Sequence, residues 1–129
     1  MACFLRSHQF YLINDSQRKI VHNDSHSPAR QGSNLSHELS HALLHHCPTP
    51  ALDDSGHRLW NQTVEDEASW LGGALLISEE AALHIVRNGW FLVQAARYYQ
   101  VSEEMMRFRL NVTGAQKRIW WGFRAKKSR

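Results

Sequence analysis

The sequence predicts an α+β fold in a single domain: a small antiparallel hairpin followed mostly by helices. Two short β-branched and aromatic runs, FYLIN (10–14) and KIVHN (19–23), lie close together near the start. From residue 34 onward, apolar positions recur at helical spacing between residues suited to helix caps. The 129 residues are 43% apolar and 21% charged, the length and balance of one globular domain that buries a core.

The two runs flank Asp15, Ser16, Gln17 and Arg18, which reads as a hairpin with a four-residue connection. DSHSPARQGS (24–33) is rich in Ser, Pro and Gly and reads as loop. A first helix then starts from Ser33 or Asn34 as N-cap and stops before Pro48. Residues 48–62 return to loop. Thr63 with Asp66 resembles a capping box opening a second helix over 64–76. Ser78 and Gly89 bracket a third helix, VQAARYY (93–99) gives a fourth, and SEEMMRFRLNV, capped by Ser102 and ended by Gly114, gives a fifth. The expected organisation is one domain over 1–116, comprising hairpin and loop at 1–33, a central helical pair at 34–76 and a helical part at 77–116. A basic aromatic tail occupies 117–129.

Composition excludes several classes. No apolar run approaches the roughly 20 residues that cross a bilayer. The start, MACFLRSHQFYLI, lacks the features of a secretory signal, so the expected location is the cytoplasm. Two cysteines, Cys3 and Cys47, are too few for a disulfide framework. The net charge of +3 is uneven: Lys117, Arg118, Arg124, Lys126, Lys127 and Arg129 sit in a tail with no acid, leaving the rest of the chain acidic. With Trp120, Trp121 and Phe123 interleaved, that tail is either a loose solubilising terminus or a surface for an acidic partner or nucleic acid.

The chemical signal is SHELSHALLHH (36–46). On a helix turning about 100° per residue, His37 and His41 lie about 40° apart with Glu38 beside them, and Leu35, Leu39 and Leu43 fall on the opposite side as an expected core face. Imidazoles at i and i+4 converge on one metal ion, and the intervening glutamate is placed to deprotonate an attacking water. The bland alternative is a helix with solvated histidines. Catalytic zinc takes a third protein ligand. Leu44 and Cys47 occupy the positions where a metzincin would need glycine and histidine, so that class is rejected, and Cys47 reads as a small buried or loop residue. His45, projected onto the metal-facing side one turn further along, reads as a rim or substrate-contacting residue rather than a ligand. In TVEDEASWLGGALLIS (63–78), Glu65 shares a helix face with Ser69 and Gly72, small residues that permit close approach to the first helix. Glu67 falls on the flank of an apolar stripe of Val64, Ala68, Leu71 and Leu75. Glu65 is therefore the favoured third ligand over Glu67, against the alternative that either glutamate simply complements the helix dipole.

Taken in order, SPARQGSNLSHELSHALLHH, VEDEASWLGGALLIS and AARYYQVSEEMMRFRLNVTGA resemble the ImmA/IrrE family of zinc-dependent metallopeptidases over roughly residues 10–118. The resemblance implies a minimal, gluzincin-like member of the zincin folds, with His37, His41 and Glu65 as ligands to one zinc, or another divalent transition metal, and Glu38 as catalytic base. It also implies a protein substrate: a DNA-binding repressor, cut to relieve repression during stress or mobile-element induction. Ser78 stands where the family usually has proline, a change compatible with capping the next helix. An oxyanion stabiliser is also expected, with His57, Arg58 and Asn61 as loop candidates.

Two further readings compete. AARYYQVSEEMMRFRL resembles a helix-turn-helix, which with the basic tail would make the chain a DNA-binding regulator. Against it, Glu103, Glu104, Met105 and Met106 open the would-be recognition helix, where base contacts call for polar or basic groups. A metal-binding scaffold without activity is the other, and the presence of Glu38 argues against it.

Overall fold

The computed structural model describes residues 2–5, 9–14, 17–46, 55 and 61–120. Their contacts divide the chain into two compact units, Met1–Gly72 and Gly73–Arg129.

The first unit opens with three short strands, β1 (Ala2–Leu5), β2 (Gln9–Asn14) and β3 (Gln17–Val21), in the order β1-β2-β3. Both pairings are antiparallel; Ala2 lies opposite Leu12, and Phe10 opposite Val21. Asn14 lies opposite Gln17, which leaves two residues, not four, to connect β2 and β3. Helix α1 (Pro28–Leu43) follows and lies against β3.

The α+β expectation is corrected by this arrangement. The framework is predominantly helical, strand is confined among the described residues to the first 21, and the expected hairpin is part of a three-stranded ribbon. The stretch read as loop over 24–33 supplies the first turns of α1. Its start signal is Ser27-Pro28: the Ser27 side chain accepts from the Arg30 N–H at 3.4 Å, and proline occupies the first turn, where it has no N–H to waste and its φ is already helical. Gln31 reinforces the turn by donating from Nε2 to the carbonyls of Asp24 and His26 at 2.9 and 2.7 Å.

Helix α2 (Gln62–Leu76) begins in the first unit and ends in the second. Its cap is Asn61, whose Oδ1 accepts from Val64 N–H at 3.3 Å; Asp66 accepts instead from the Gln62 amide at 2.6 Å, so the expected Thr63–Asp66 box does not form. Within the first unit α2 meets α1 at Gly72, where an added Cβ would lie 3.3 Å from both Cα and N of His37. The expected burial of α1 is inverted. Ser36, Glu38, Ser40 and His41 are buried, whereas Leu39 and Leu43 are 44% and 52% exposed. The polar face is the one α2 covers at Gly72, and periodicity alone cannot tell which face of an amphipathic helix is covered.

The second unit contains α3 (Glu79–Arg87, capped by Ser78), α4 (Leu92–Tyr98) and α5 (Glu103–Val112, capped by Ser102), and residues 115–120 are again helical. Ile77, Ile85 and Met106 are fully buried at its centre, and Ala82, Ala95, Ala96 and Ala115 let the helices approach around them. Arg109 is 3% exposed and donates from Nε to the Ile77 carbonyl at 2.8 Å, placing a cation on the carbonyl end of α2. No helix among the described residues is long and apolar enough to cross a membrane.

Gly32 and Gly72 occupy helix interiors in opposite surroundings. A Cβ at Gly32 would meet nothing within 4 Å, so Gly32→Ala should stabilise the protein by about 0.5–1 kcal/mol in urea denaturation through the lower entropy of the unfolded chain. Gly72→Ala offers the same entropic gain but crowds backbone that has little room to yield, and should give less stability than Gly32→Ala. Equal gains at the two positions would refute the close packing of α2 on α1.

Candidate metal centre

The i, i+4 spacing on α1 brings the His37 and His41 rings edge to face, with Nε2 atoms 3.1 Å apart. Glu65, in the first turn of α2, reaches them from the facing helix: its Oε2 lies 3.2 Å from His37 Nε2 and its Oε1 3.8 Å from His41 Nε2. One potential ligand atom from each of the three residues falls within a 4.8 Å cluster. Zinc bonds of about 2.0–2.1 Å in a tetrahedron imply donors about 3.3–3.4 Å apart, close to these separations. Two imidazole nitrogens and a carboxylate therefore fit a divalent transition metal in both spacing and chemistry. Gly72 permits the approach. On the same α2 face, Ser69 Oγ lies 3.5 Å from His37 Nδ1, where it can accept that ring's N–H.

Glu38 is 2% exposed, and its Oε2 is buried with no hydrogen-bond partner among the described residues. Burial, reinforced by the neighbouring Glu65 carboxylate, pushes its carboxyl up to about 7. Such a group is poised both to take and to return a proton near neutrality. Burial, with help from His37 and His41's other neighbour His46, pushes the His41 imidazole down to about 4, so it keeps a free lone pair at neutral pH.

The structure separates the two glutamates that the sequence set against each other. Glu65 joins His37 and His41, whereas Glu67 Oε2 lies 3.0 Å from His46 Nε2. His46 in turn places its Nδ1 2.9 Å from His41 Nδ1. Sequence reasoning passed over His46 because the helical projection was carried on past the end of α1. The helix stops at Leu43, and Leu44 is its C-cap. His45 adopts the left-handed conformation (φ 55°), with His45 N–H donating to the Ala42 carbonyl at 3.3 Å and His46 N–H to the His41 carbonyl at 3.0 Å. This is a Schellman turn, which folds its last residue back onto the residue three before the helix end. Glycine normally marks that turn, and a His-His doublet does not advertise it. His45 is exposed and lies beyond the helix, so the helical projection that put it on the metal-facing side does not apply to it.

Of the remaining candidates, Asn61 is engaged as the α2 cap, while Cys47, His57 and Arg58 lie outside the described residues. So do the tail residues from 121 onward; Arg118 pairs with Glu79 at 2.6 Å.

Comparison with protein families matches residues 5–111 to the model of the IrrE N-terminal-like domain, a peptidase family. Comparisons with curated proteins and with solved structures found no match.

The raised Glu38 carboxyl has a thermodynamic signature. Between pH 4.5 and about 7 the folded, metal-free protein holds a proton there that the unfolded chain has released, so this group lowers stability as pH rises through that window. Above the window the penalty levels off at about 3 kcal/mol, at 1.36 kcal/mol per pH unit. His41 acts with the opposite sign between pH 4 and 6.5, where the unfolded chain binds the extra proton and stability rises with pH. Comparing Glu38→Gln with wild type isolates the first effect. In chelator-treated protein the variant should be more stable by up to about 3 kcal/mol at pH about 8, and the gap should close below pH 4.5. Equal urea midpoints at the higher pH would show that the Glu38 carboxylate is not held at a cost.

Proposed function

The chain belongs to the ImmA/IrrE family of peptidases, and from that membership and the geometry of the centre we propose that it is a zinc-dependent endopeptidase that makes a selective cut in a protein substrate. The observation that carries the reading is the convergence of His37, His41 and Glu65 beside a buried carboxyl, Glu38, that has an unpartnered oxygen. A helix of solvated histidines would have no reason to bury Glu38 at 2% exposure or to bring a glutamate from a second helix against both rings.

In this reading His37, His41 and Glu65 would hold a single zinc ion. Bound there, zinc would supply Lewis acidity, which acidifies water and polarises a peptide carbonyl. Glu38 Oε2 takes the proton from the attacking water and delivers it to the departing amine, a double duty suited to a carboxyl displaced to about 7. The substrate is a helix-turn-helix repressor, whose cutting relieves repression in stress or mobile-element induction; family membership is the support for this. The competing DNA-binding reading is weakened by α5 itself. Glu103 and Glu104 stand exposed in its first turn, and Arg109 is turned inward to the Ile77 carbonyl, away from any phosphate.

Two expectations test the proposal. Purified protein should carry about one zinc per chain by elemental analysis, with His37→Ala and Glu65→Ala losing it and Glu38→Gln keeping it while losing cleavage. Protein that neither holds nor can be loaded with a transition metal ends the peptidase reading. Mixed with a helix-turn-helix repressor encoded beside its gene, the wild type should yield two fragments on a gel and leave casein largely intact. Rapid digestion of casein would overturn the selective substrate, and metal-independent binding to an operator would promote the DNA-binding alternative.

A further inference from the structure

We infer that His46 and Glu67 form a positioning pair that locks His41 in the tautomer able to bind metal. The inference rests on the zinc reading above and concerns residues that none of the ligand atoms includes. Three contacts run in series: Glu67 Oε2 to His46 Nε2 at 3.0 Å, His46 Nδ1 to His41 Nδ1 at 2.9 Å, and His41 Nε2 facing His37 and Glu65. A carboxylate only accepts hydrogen bonds, so the proton between Glu67 and His46 belongs to His46 Nε2. If that is its only proton, His46 has a bare lone pair at Nδ1. The 2.9 Å contact is a hydrogen bond only if His41 carries its proton on Nδ1, and that leaves the lone pair of His41 on Nε2, directed at the cluster. With one proton on each ring, reversing the series fails at both ends. A proton on His46 Nδ1 would set two acceptors against each other at Glu67 and would put the His41 proton on Nε2, the atom that must be bare to hold a cation.

The backbone builds this arrangement. The Schellman turn returns His46 over His41, filling with a polar contact the place where such turns usually make an apolar one. His46 is nearly enclosed, its side chain 11% exposed, while Glu67 is 56% exposed, so the pair runs from the centre to the surface. Among the described residues, His37 has only the 3.5 Å Ser69 hydroxyl in the equivalent role. His41 is therefore the ligand whose orientation is most tightly set, through a residue five positions beyond the HExxH and a glutamate two positions beyond the third ligand.

Zinc affinity by chelator competition tests this without reference to activity. His46→Ala should weaken zinc binding about 10- to 100-fold, the range for removing partners that orient metal-bound histidines. Glu67→Ala should weaken it less, and His46→Ala with Glu67→Ala should be no worse than His46→Ala alone, because Glu67 acts only through His46. Glu67→Gln should bind close to wild type, since its side-chain carbonyl can accept the same N–H, and His45→Gly should do the same because it keeps the turn while removing a neighbouring histidine. Should His46→Ala fail to fold, the exposed Glu67→Ala and Glu67→Gln pair still decides the matter. Wild-type affinity in His46→Ala, additive losses in the double variant, or equal losses in Glu67→Gln and Glu67→Ala would each overturn the inference. If wild type binds zinc and Glu65→Ala releases it while His46→Ala does not, the positioning role alone falls. If wild type binds no zinc at all, the peptidase reading falls and takes this inference with it.

Discussion

The approach of α2 to α1 at Gly72 is the constraint on which the centre depends. Two imidazoles at i and i+4 come from one helix, but the third donor must cross from another, and a glutamate side chain spans only a short gap. Helix axes pack about 8–10 Å apart, the lower limit being reached only where the contact residue is small. At Gly72 the α2 backbone lies so near His37 that even a methyl group would be crowded at 3.3 Å. Given that contact, Glu65 is delivered two turns earlier on α2 to both histidines, and Ser69 falls opposite the back of the His37 ring.

The same contact dictates which face of α1 is buried, and the helix is built to tolerate it. Ser36 and Ser40 satisfy their hydroxyls within the helix, donating to the Ser33 carbonyl at 2.9 Å and the Ser36 carbonyl at 2.7 Å. They are small, and they ask nothing of α2. Glu38 is left with an unpaired buried oxygen, and one turn earlier Asn34 Nδ2 is buried without a partner too, so part of the cost of burying polarity falls on the group proposed as the base. Selection for function commonly leaves such a local deficit in stability.

Much of the centre could be read from the sequence because short-range geometry determines it. The pairing of His37 with His41 follows from helical spacing alone, and the preference for Glu65 over Glu67 followed from the small residues beside it, which the Gly72 contact explains. The caps Ser78 and Ser102 were legible for the same reason, since each cap bond spans three residues. Failures came where the deciding information lay farther away or in the backbone. Leu39 and Leu43 looked like core because amphipathicity shows that faces differ and not which one is covered. The proline of Ser27-Pro28 suggested loop, although proline is equally at home in a first helical turn. His46 was missed because its position depends on a positive φ at His45 that the residue type does not announce.

Three helices end in the same way. After α1, α3 and α4, a residue of positive φ (His45, Gly89, Gln100) folds the next N–H back onto a carbonyl of the last turn, at 3.0 to 3.1 Å. A helix closed in this manner carries its own stop. Its final carbonyls are satisfied by residues adjacent in sequence, so it needs no particular segment beyond to prevent fraying. For α1, the helix holding both histidines, whatever follows position 46 is free to change in length and composition without loosening the two imidazoles. In evolutionary terms, sequence can drift on one side of a short backbone turn while the two imidazoles on the other side stay in register.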